Sequence, residues 1–377
     1  MKILVAGDFR PNSIIAELFD KSDFEPILGE VRELTHKVDY AIVNFESPVV
    51  EHDAAPIKKC GPCLKCKKSG LKAVKWAGFN CVTLANNHFL DYGETGVRDT
   101  LNGCSKLGID TVGGGLNLSE ASRFLIKDVN GQRLAIINCC ENEFSIATSS
   151  SSGSNPLNPI KQFYDIQEAK ANADRVLVIV HGGIEGFQLP TPRMVETYRF
   201  FIDSGADAVI NHHQHCFSGY EVYNGKPIFY GLGNFCFLSN TDRSGKWTEG
   251  YVVIIDFSDQ TPSFQLFPYI QNAVELGVYL QDQDQFESEL NRINELIVKP
   301  NELRKAIEQY YESHVGVIAN LFEPIHNKYY LFAKKKGWIP SFISHEKLLL
   351  TKNIVSCESH FDKLLWWLTK SLKMKNN

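Results

Sequence analysis

No run of about 18 or more apolar residues occurs in this chain of 377 residues, so the sequence offers no membrane-spanning helix. Its start, Met1-Lys2-Ile3-Leu4-Val5-Ala6-Gly7-Asp8, lacks the long apolar core and small-residue cleavage site of a secretory leader. A cytoplasmic location is therefore expected. Cysteines number 10, too sparse for a disulfide scaffold and in keeping with a reducing compartment. Positive charge is not in excess: the net charge is -5, which gives no reason to expect nucleic acid as the main partner. No internal repeat is visible. The remaining composition, 44% hydrophobic and 22% charged, is that of an ordinary globular protein. The length suits about two domains.

Short apolar, β-branched runs suggest buried strands at residues 2–6, 40–45, 81–85, 134–139, 175–180, 208–210, 228–231 and 251–257. Helical patterns lie between several of them, at 71–77, 94–107 and 191–204. The last has Pro192 near its start and Gly205 just past its end. This alternation predicts an α/β fold. Residues 148–159 are rich in Ser, Gly, Asn and Pro and read as a flexible surface loop. Near residue 272 the pattern turns helical, with Phe286, Leu290, Ile293 and Ile297 at helical spacing and little strand character beyond. The expected division is a catalytic domain over 1–270 and an appended helical region over 271–377.

Chemistry-bearing residues cluster at the ends of the strand runs. Asp8 closes the first and Glu46 the second. Asn86-Asn87-His88 follows the third, His181-Gly182-Gly183 the fifth, and His212-His213-Gln214-His215 the sixth. Five of the 11 histidines fall in these segments. Imidazoles, carboxylates and an amide together suit a borderline divalent metal such as Mn, Fe or Zn. A glutamate just after a buried strand needs an ion pair or a coordinated cation. In an extended segment residues i and i+2 point the same way, so His213 and His215 would face one site and His212 would face away. The Asn87 amide oxygen suits a metal, His88 then serves as a proton donor, and Asp91 would orient its ring.

The order Gly-Asp, strand-end carboxylate, Asn-His, His-Gly and His-x-His resembles the calcineurin-like metallophosphoesterase superfamily. Within it, five segments resemble the CapA (poly-γ-glutamate capsule synthesis) family. They are Asn44-Phe45-Glu46, Leu84 to His88 with Asp91, His181-Gly182-Gly183 with Glu185, His212 to His215, and Tyr230 to Phe235. The resemblance covers about residues 1 to 258. It implies a four-layer α/β/β/α fold with a metal centre at the strand C-termini. Asp8 and His215 would bind one ion, Asn87, His181 and His213 a second, and Glu46 would bridge them. His88 would be the general acid, held by Asp91. Arg10 stands where the broad superfamily has a histidine, and Glu46 where it usually has aspartate. Arg10 cannot ligate a metal; it is either a bidentate contact to an anionic substrate or a salt-bridged residue, and one ion or two stays open. Arg10, Glu185, His212 and Asn234 are the candidate substrate contacts.

These readings imply a metal-dependent hydrolase acting on an anionic small molecule or polymer, in capsule or envelope polymer synthesis, alongside other capsule-synthesis proteins. The alternative is a non-catalytic accessory protein on the same fold. Cys60-Gly61-Pro62-Cys63-Leu64-Lys65-Cys66 offers three thiols in a lysine-rich loop, as zinc or iron–sulfur ligands or as incidental thiols. The end of the chain places Phe361, Leu364, Leu365, Leu368 and Leu372 on one helical face among lysines. That face would contact a membrane surface or pack on the catalytic domain.

Overall fold

The computed structural model describes the chain apart from residues 12, 52, 60, 238–244, 273–275, 322–326, 341, 357–363, 365–367 and 369–377. Two compact units divide it, Met1–Arg304 and Lys305–Asn377. In chain order the first unit begins with β1 (Lys2–Phe9), α1 (Ser13–Asp20), α2 (Glu25–Thr35), β2 (Tyr40–Phe45), α3 (Lys68–Trp76), β3 (Cys81–Thr83), α4 (Gly93–Leu107) and β4 (Asp110–Val112). There follow β5 (Gly114–Gly115), α5 (Leu118–Ala121), β6 (Leu125–Val129), β7 (Gln132–Cys140), β8 (Gly153–Ser154), α6 (Pro159–Asn172), β9 (Arg175–His181), α7 (Pro192–Asp203) and β10 (Ala208–His212). Next come β11 (Tyr220–Tyr223), β12 (Lys226–Phe229), β13 (Asn234–Phe235), β14 (Glu249–Asp256), β15 (Ser263–Asn272), β16 (Gly277–Leu280) and α8 (Gln283–Ile297). The remaining helices are α9 (Pro300–Leu321), α10 (Lys328–Lys335) and α11 (His345–Ser356).

An 8-stranded sheet has the order β16-β15-β14-β1-β2-β3-β4, with β13 beside β1, and a 6-stranded sheet the order β11-β12-β10-β9-β7-β6. Leu4, Ala6, Val43 and Phe45 of the larger sheet pack against Leu28 and Val31 of α2, Leu71 and Val74 of α3, and Val97 of α4. Their sequence neighbours Ile3, Val5 and Ile42 point to the opposite face by strand alternation and are equally dry. Both faces of β1 and β2 are therefore covered, which is why these strands read as continuous apolar runs. The smaller sheet carries α6 and α7 against β7, β9 and β10. Asn158 and Thr191 cap these two helices through backbone N–H groups of their first turns. Arg175 of β9 reaches the carbonyls of Phe257 and Gln260, joining the two sheets. The result is the expected four-layer α/β/β/α arrangement.

Parallel strands aim their C-termini one way. Asp8 pairs with Asn44, and His212 with His181, which in turn pairs with Cys140. Both sheets thus deliver their strand ends to one edge, where α/β proteins place sites. Between Ala6 and Asp8 the β1–β2 register shifts. A Cβ on Gly7 would lie 2.0 Å from the Gly233 carbonyl oxygen, so only glycine admits this approach. The irregularity re-aims Asp8.

Two expectations need correcting. Residues 148–159 are not a plain surface loop, because Ser152, Ser154 and Asn155 are buried and β8 pairs with β5. Ser154 Oγ bonds the carbonyls of Leu84 and Asn86, and Asn155 Nδ2 that of Asn138. These polar side chains satisfy buried backbone, which composition alone cannot show. Strand structure also continues past residue 272: β16 pairs antiparallel with β15. Four residues are too few to display a period. The 361–375 helix falls mostly outside the described residues, with Leu364 and Leu368 helical. Among the described residues, no helix is long and apolar enough to cross a membrane.

Candidate metal centre

Glu46 follows β2 directly and enters a buried polar cluster. It is 0% exposed, and neither carboxylate oxygen receives a hydrogen bond. Oε1 lies 3.6 Å from Nε2 of both His181 and His215. Donor atoms of Glu46, His181 and His213 lie within 4.8 Å of one another, as do those of Asp8, Glu46 and His215. Glu46 is common to both groups. Asn87 Oδ1 stands 3.1 Å from His181 Nε2, and His213 Nδ1 also stands 3.1 Å from it. Asn87 Nδ2 points away, 3.4 Å from Glu143 Oε2. Lone pairs from a carboxylate, an amide and imidazoles therefore converge.

Each ligand is braced from behind. Asp8 accepts from Asn44 Nδ2 at 2.7 Å and from the His213 backbone N–H at 3.0 Å. Asn44 Nδ2 also lies 3.3 Å from His181 Nδ1, and Asn44 Oδ1 accepts from Thr83. His215 Nδ1 donates to Asn234 Oδ1 at 2.8 Å, which leaves Nε2 free as a ligand. Phe237 and Trp247 flank the same ring at 4.9 and 4.7 Å. The convergence of His213 and His215 does not arise from strand alternation. β10 ends at His212, and the two residues take positive φ of 91° and 54°. Left-handed backbone at non-glycine residues costs about 1–3 kcal/mol each and persists where surroundings enforce it.

Electrostatics point the same way. Burial pushes Asp8 up to about 7, and burial beside Asp8 pushes Glu46 well above the carboxylate range. Burial takes His212 and His215 down to about 3, His181 well below its ordinary range, and His213 down as well. The imidazoles are thus neutral, and their contacts with Glu46 are convergent lone pairs rather than ion pairs. A divalent cation satisfies all of these groups at once, and the N/O donor set fits Mn, Fe or Zn.

The other expected residues fall around this ring. His88 Nδ1 lies 2.6 Å from Asp91 Oδ2. Glu185 is exposed at the mouth, with its carboxylate within 4.8 Å of His213 and His215 donors. Arg10 is half-buried, stacked 5.5 Å over Phe237, and has no ion pair among the described residues. His212 is buried with its Nδ1 3.5 Å from Asp8 and neither ring nitrogen hydrogen-bonded. Asn234 is fully buried, and its amide bonds only His215 and the Trp247 carbonyl. Sequence reasoning names Asn44 only as part of the Asn44-Phe45-Glu46 segment and assigns no role to it, to Glu143 or to Lys59. Asn44 has a signal, a polar residue inside an otherwise apolar buried strand. Cys60 lies outside the described residues; Cys63 and Cys66 are free thiols, and neither joins a group of metal donors among the described residues. Burial pushes Cys66 up to about 12, away from a thiolate.

Comparison with known proteins bears on the same residues. The capsule biosynthesis protein CapA of Bacillus anthracis is 33% identical over 252 residues, 65% of this chain and 61% of that protein. The PGA biosynthesis protein CapA of Bacillus subtilis is 33% identical over 241 residues, 63% of each. The chain therefore spans a little over three fifths of the length of these relatives. A crystal structure of a hypothetical protein from Thermus thermophilus aligns with 75% of this chain and 100% of its own at a TM-score of 0.45 and 17% identity. The family model described as bacterial capsule synthesis protein PGA_cap matches residues 2–239, which hold every proposed ligand, and the chain belongs to that family.

Proposed function

We propose that this chain is a metal-dependent hydrolase of the metallophosphoesterase type, acting on an anionic ester in capsule or envelope polymer synthesis. The observation that carries the reading is Glu46, a carboxylate with no exposure and no hydrogen-bond donor, ringed by imidazole and amide lone pairs. Such a group is costly unless a cation sits on it. Asp8, Glu46 and His215 would hold one ion, and Glu46, Asn87, His181 and His213 a second. When bound, a divalent metal supplies Lewis-acid charge and an acidified water. The chain's own residues supply the rest. His88, oriented by Asp91, gives a proton to the leaving oxygen. Arg10 offers its guanidinium to an anionic group of the substrate. The buried ring excludes bulk water and strengthens every charge interaction within it. The polymer setting rests on what the two CapA relatives are called.

The test is metal analysis of purified protein, followed by hydrolysis assays on phosphomonoesters and phosphodiesters with added Mn. Stoichiometric metal, with metal and activity both lost in His213→Ala, is the expected result. Protein that takes up no metal would overturn the reading. Retained metal without hydrolysis would favour an accessory role in polymer assembly.

A further inference from the structure

Lys59 belongs to the irregular strap that joins β2 to α3. The strap's middle, at residues 55, 56, 58, 61 and 62, is exposed, yet the Lys59 side chain is 3% exposed. Its ammonium is in contact with Asp91 Oδ1, 3.1 Å from His88 Nδ1 and 3.5 Å from the Asn87 carbonyl. Asp91 is itself fully buried and acts as a hub. Its Oδ2 meets His88 Nδ1 at 2.6 Å and the Leu64 backbone N–H at 2.6 Å, and its backbone carbonyl accepts from Ile57 N–H at 2.9 Å. Asp91 therefore binds the strap on both sides of Lys59, through its backbone carbonyl at Ile57 and its carboxylate at Leu64, and holds the ring of His88 with the same carboxylate.

An ionised Asp91 can only accept, so the Nδ1 proton of His88 is directed at it. Lys59 then lies against the other carboxylate oxygen as a positive charge. With that ammonium in place, Asp91 is held fixed, and the His88 ring keeps one orientation, with Nδ1–H on Asp91. The proton passed to the leaving oxygen is then the one carried on Nε2 when the ring is doubly protonated, and the ring returns to its Nδ1–H form. Lys59 is too enclosed and too fully engaged to receive a polymer itself.

We infer that Lys59 is a positioning residue of the proposed hydrolytic site, clamping Asp91 so that His88 is held ready to protonate the leaving group. The inference rests on the hydrolase reading and narrows its substrate class. A lysine–aspartate–histidine chain behind a proton donor matters only where the leaving oxygen is basic, as in esters of alkyl or sugar hydroxyls. Esters with acidic leaving groups need no such proton.

The test compares wild type, Lys59→Met, Lys59→Gln and Lys59→Arg as full chains. It measures metal content, hydrogen exchange of the Ile57 and Leu64 amides, and the ring 15N signals of His88, identified by His88→Gln. It also measures Mn-supported hydrolysis of an alkyl phosphate ester and a 4-nitrophenyl phosphate ester. Lys59→Met should retain its metal and exchange both amides on the order of tenfold faster. Its His88 signals should show mixed tautomers. Hydrolysis of the alkyl ester should fall by roughly tenfold to a hundredfold, with a much smaller loss on the nitrophenyl ester. Lys59→Arg should recover most of the difference. Lys59→Gln carries the same expectations if the methionine variant does not fold. Wild-type exchange and His88 signals in the variants, or equal losses on both esters, would overturn the inference. If wild type hydrolyses neither ester, the hydrolase reading fails, and the exchange and 15N measurements still decide whether Lys59 holds His88.

Discussion

The two sheets contribute opposite chemistry to the same ring. The 8-stranded sheet brings carboxylates, Asp8 from β1 and Glu46 from the end of β2. The 6-stranded sheet brings imidazoles, His181 from β9 and His212 to His215 from the end of β10. Taken alone, the carboxylate side is an unpaired buried acid, and the imidazole side is a set of buried bases held neutral. Hydrogen bonds that cross between them include Asn44 Nδ2 with His181 Nδ1, the His213 backbone N–H to Asp8, and His215 Nδ1 to Asn234. Under the proposed reading a cation is the third component, because neither half supplies a counter-charge to the other.

That contrast can be broken most severely on the acid side. Glu46→Gln should abolish tight metal binding, lowering affinity by at least about a thousandfold, because the bridging charge serves both ligand groups. The metal-free variant should nevertheless melt no lower than metal-free wild type, since an amide avoids the cost of burying a carboxyl whose ionisation the fold opposes. Metal titration and thermal melts measure the two effects, and a markedly less stable metal-free variant would show that Glu46 is structural.

Asn44→Ala attacks the link between the halves. Removing a brace behind ligands usually costs about 10–100-fold in metal affinity. Asn44 braces Asp8 and adjoins His181, so the loss should reach both ligand groups. Asn234→Ala is narrower, because its amide serves His215 alone among the ligands. A loss of about tenfold is expected, confined to the group containing Asp8 and His215. Calorimetric titration of the two variants should separate a general weakening from a partial one.

The smallest effect is on stability against pH in metal-free protein. The buried imidazoles stay neutral in the fold but protonate near 6.5 once unfolded. The unfolded chain then binds more protons, and stability falls as pH drops through that value. The carboxyls act in reverse. Asp8 remains protonated in the fold up to about 7 and Glu46 well above its ordinary range, while both ionise above about 4 in the unfolded chain. Their contribution therefore falls as pH rises. Four imidazoles outweigh two carboxyls below about 6.5, so melting temperature should peak near that pH and decline above it. Saturating Mn should remove the alkaline decline; melts with and without metal across pH 5 to about 9 test this.

Much of this was legible in the sequence. β2 reads off as the apolar run 40–45, and Asp8, Glu46, His181 and the His212 to His215 cluster stand out as polar residues at the ends of such runs. Strand ends advertise themselves because burial stops there. The bracing residues do not. Lys59 is one of four lysines between β2 and α3, and nothing local distinguishes the one that turns inward. Ser154 and Asn155 look like loop filler until their backbone partners are known. Asn234 is adjacent in space to His215 only because β13 lies beside β1, a pairing no sequence period encodes. The left-handed φ at His213 and His215 is likewise invisible, although it decides where both rings point.

The contact between Gly7 and Gly233 reaches further than the turn it permits. Even a methyl group at position 7 would have to displace the neighbouring carbonyl, and Asp8 sits one peptide away. Gly7→Ala should therefore behave as a remote lesion of the cation site, changing no donor atom yet shifting the first carboxylate off its aim.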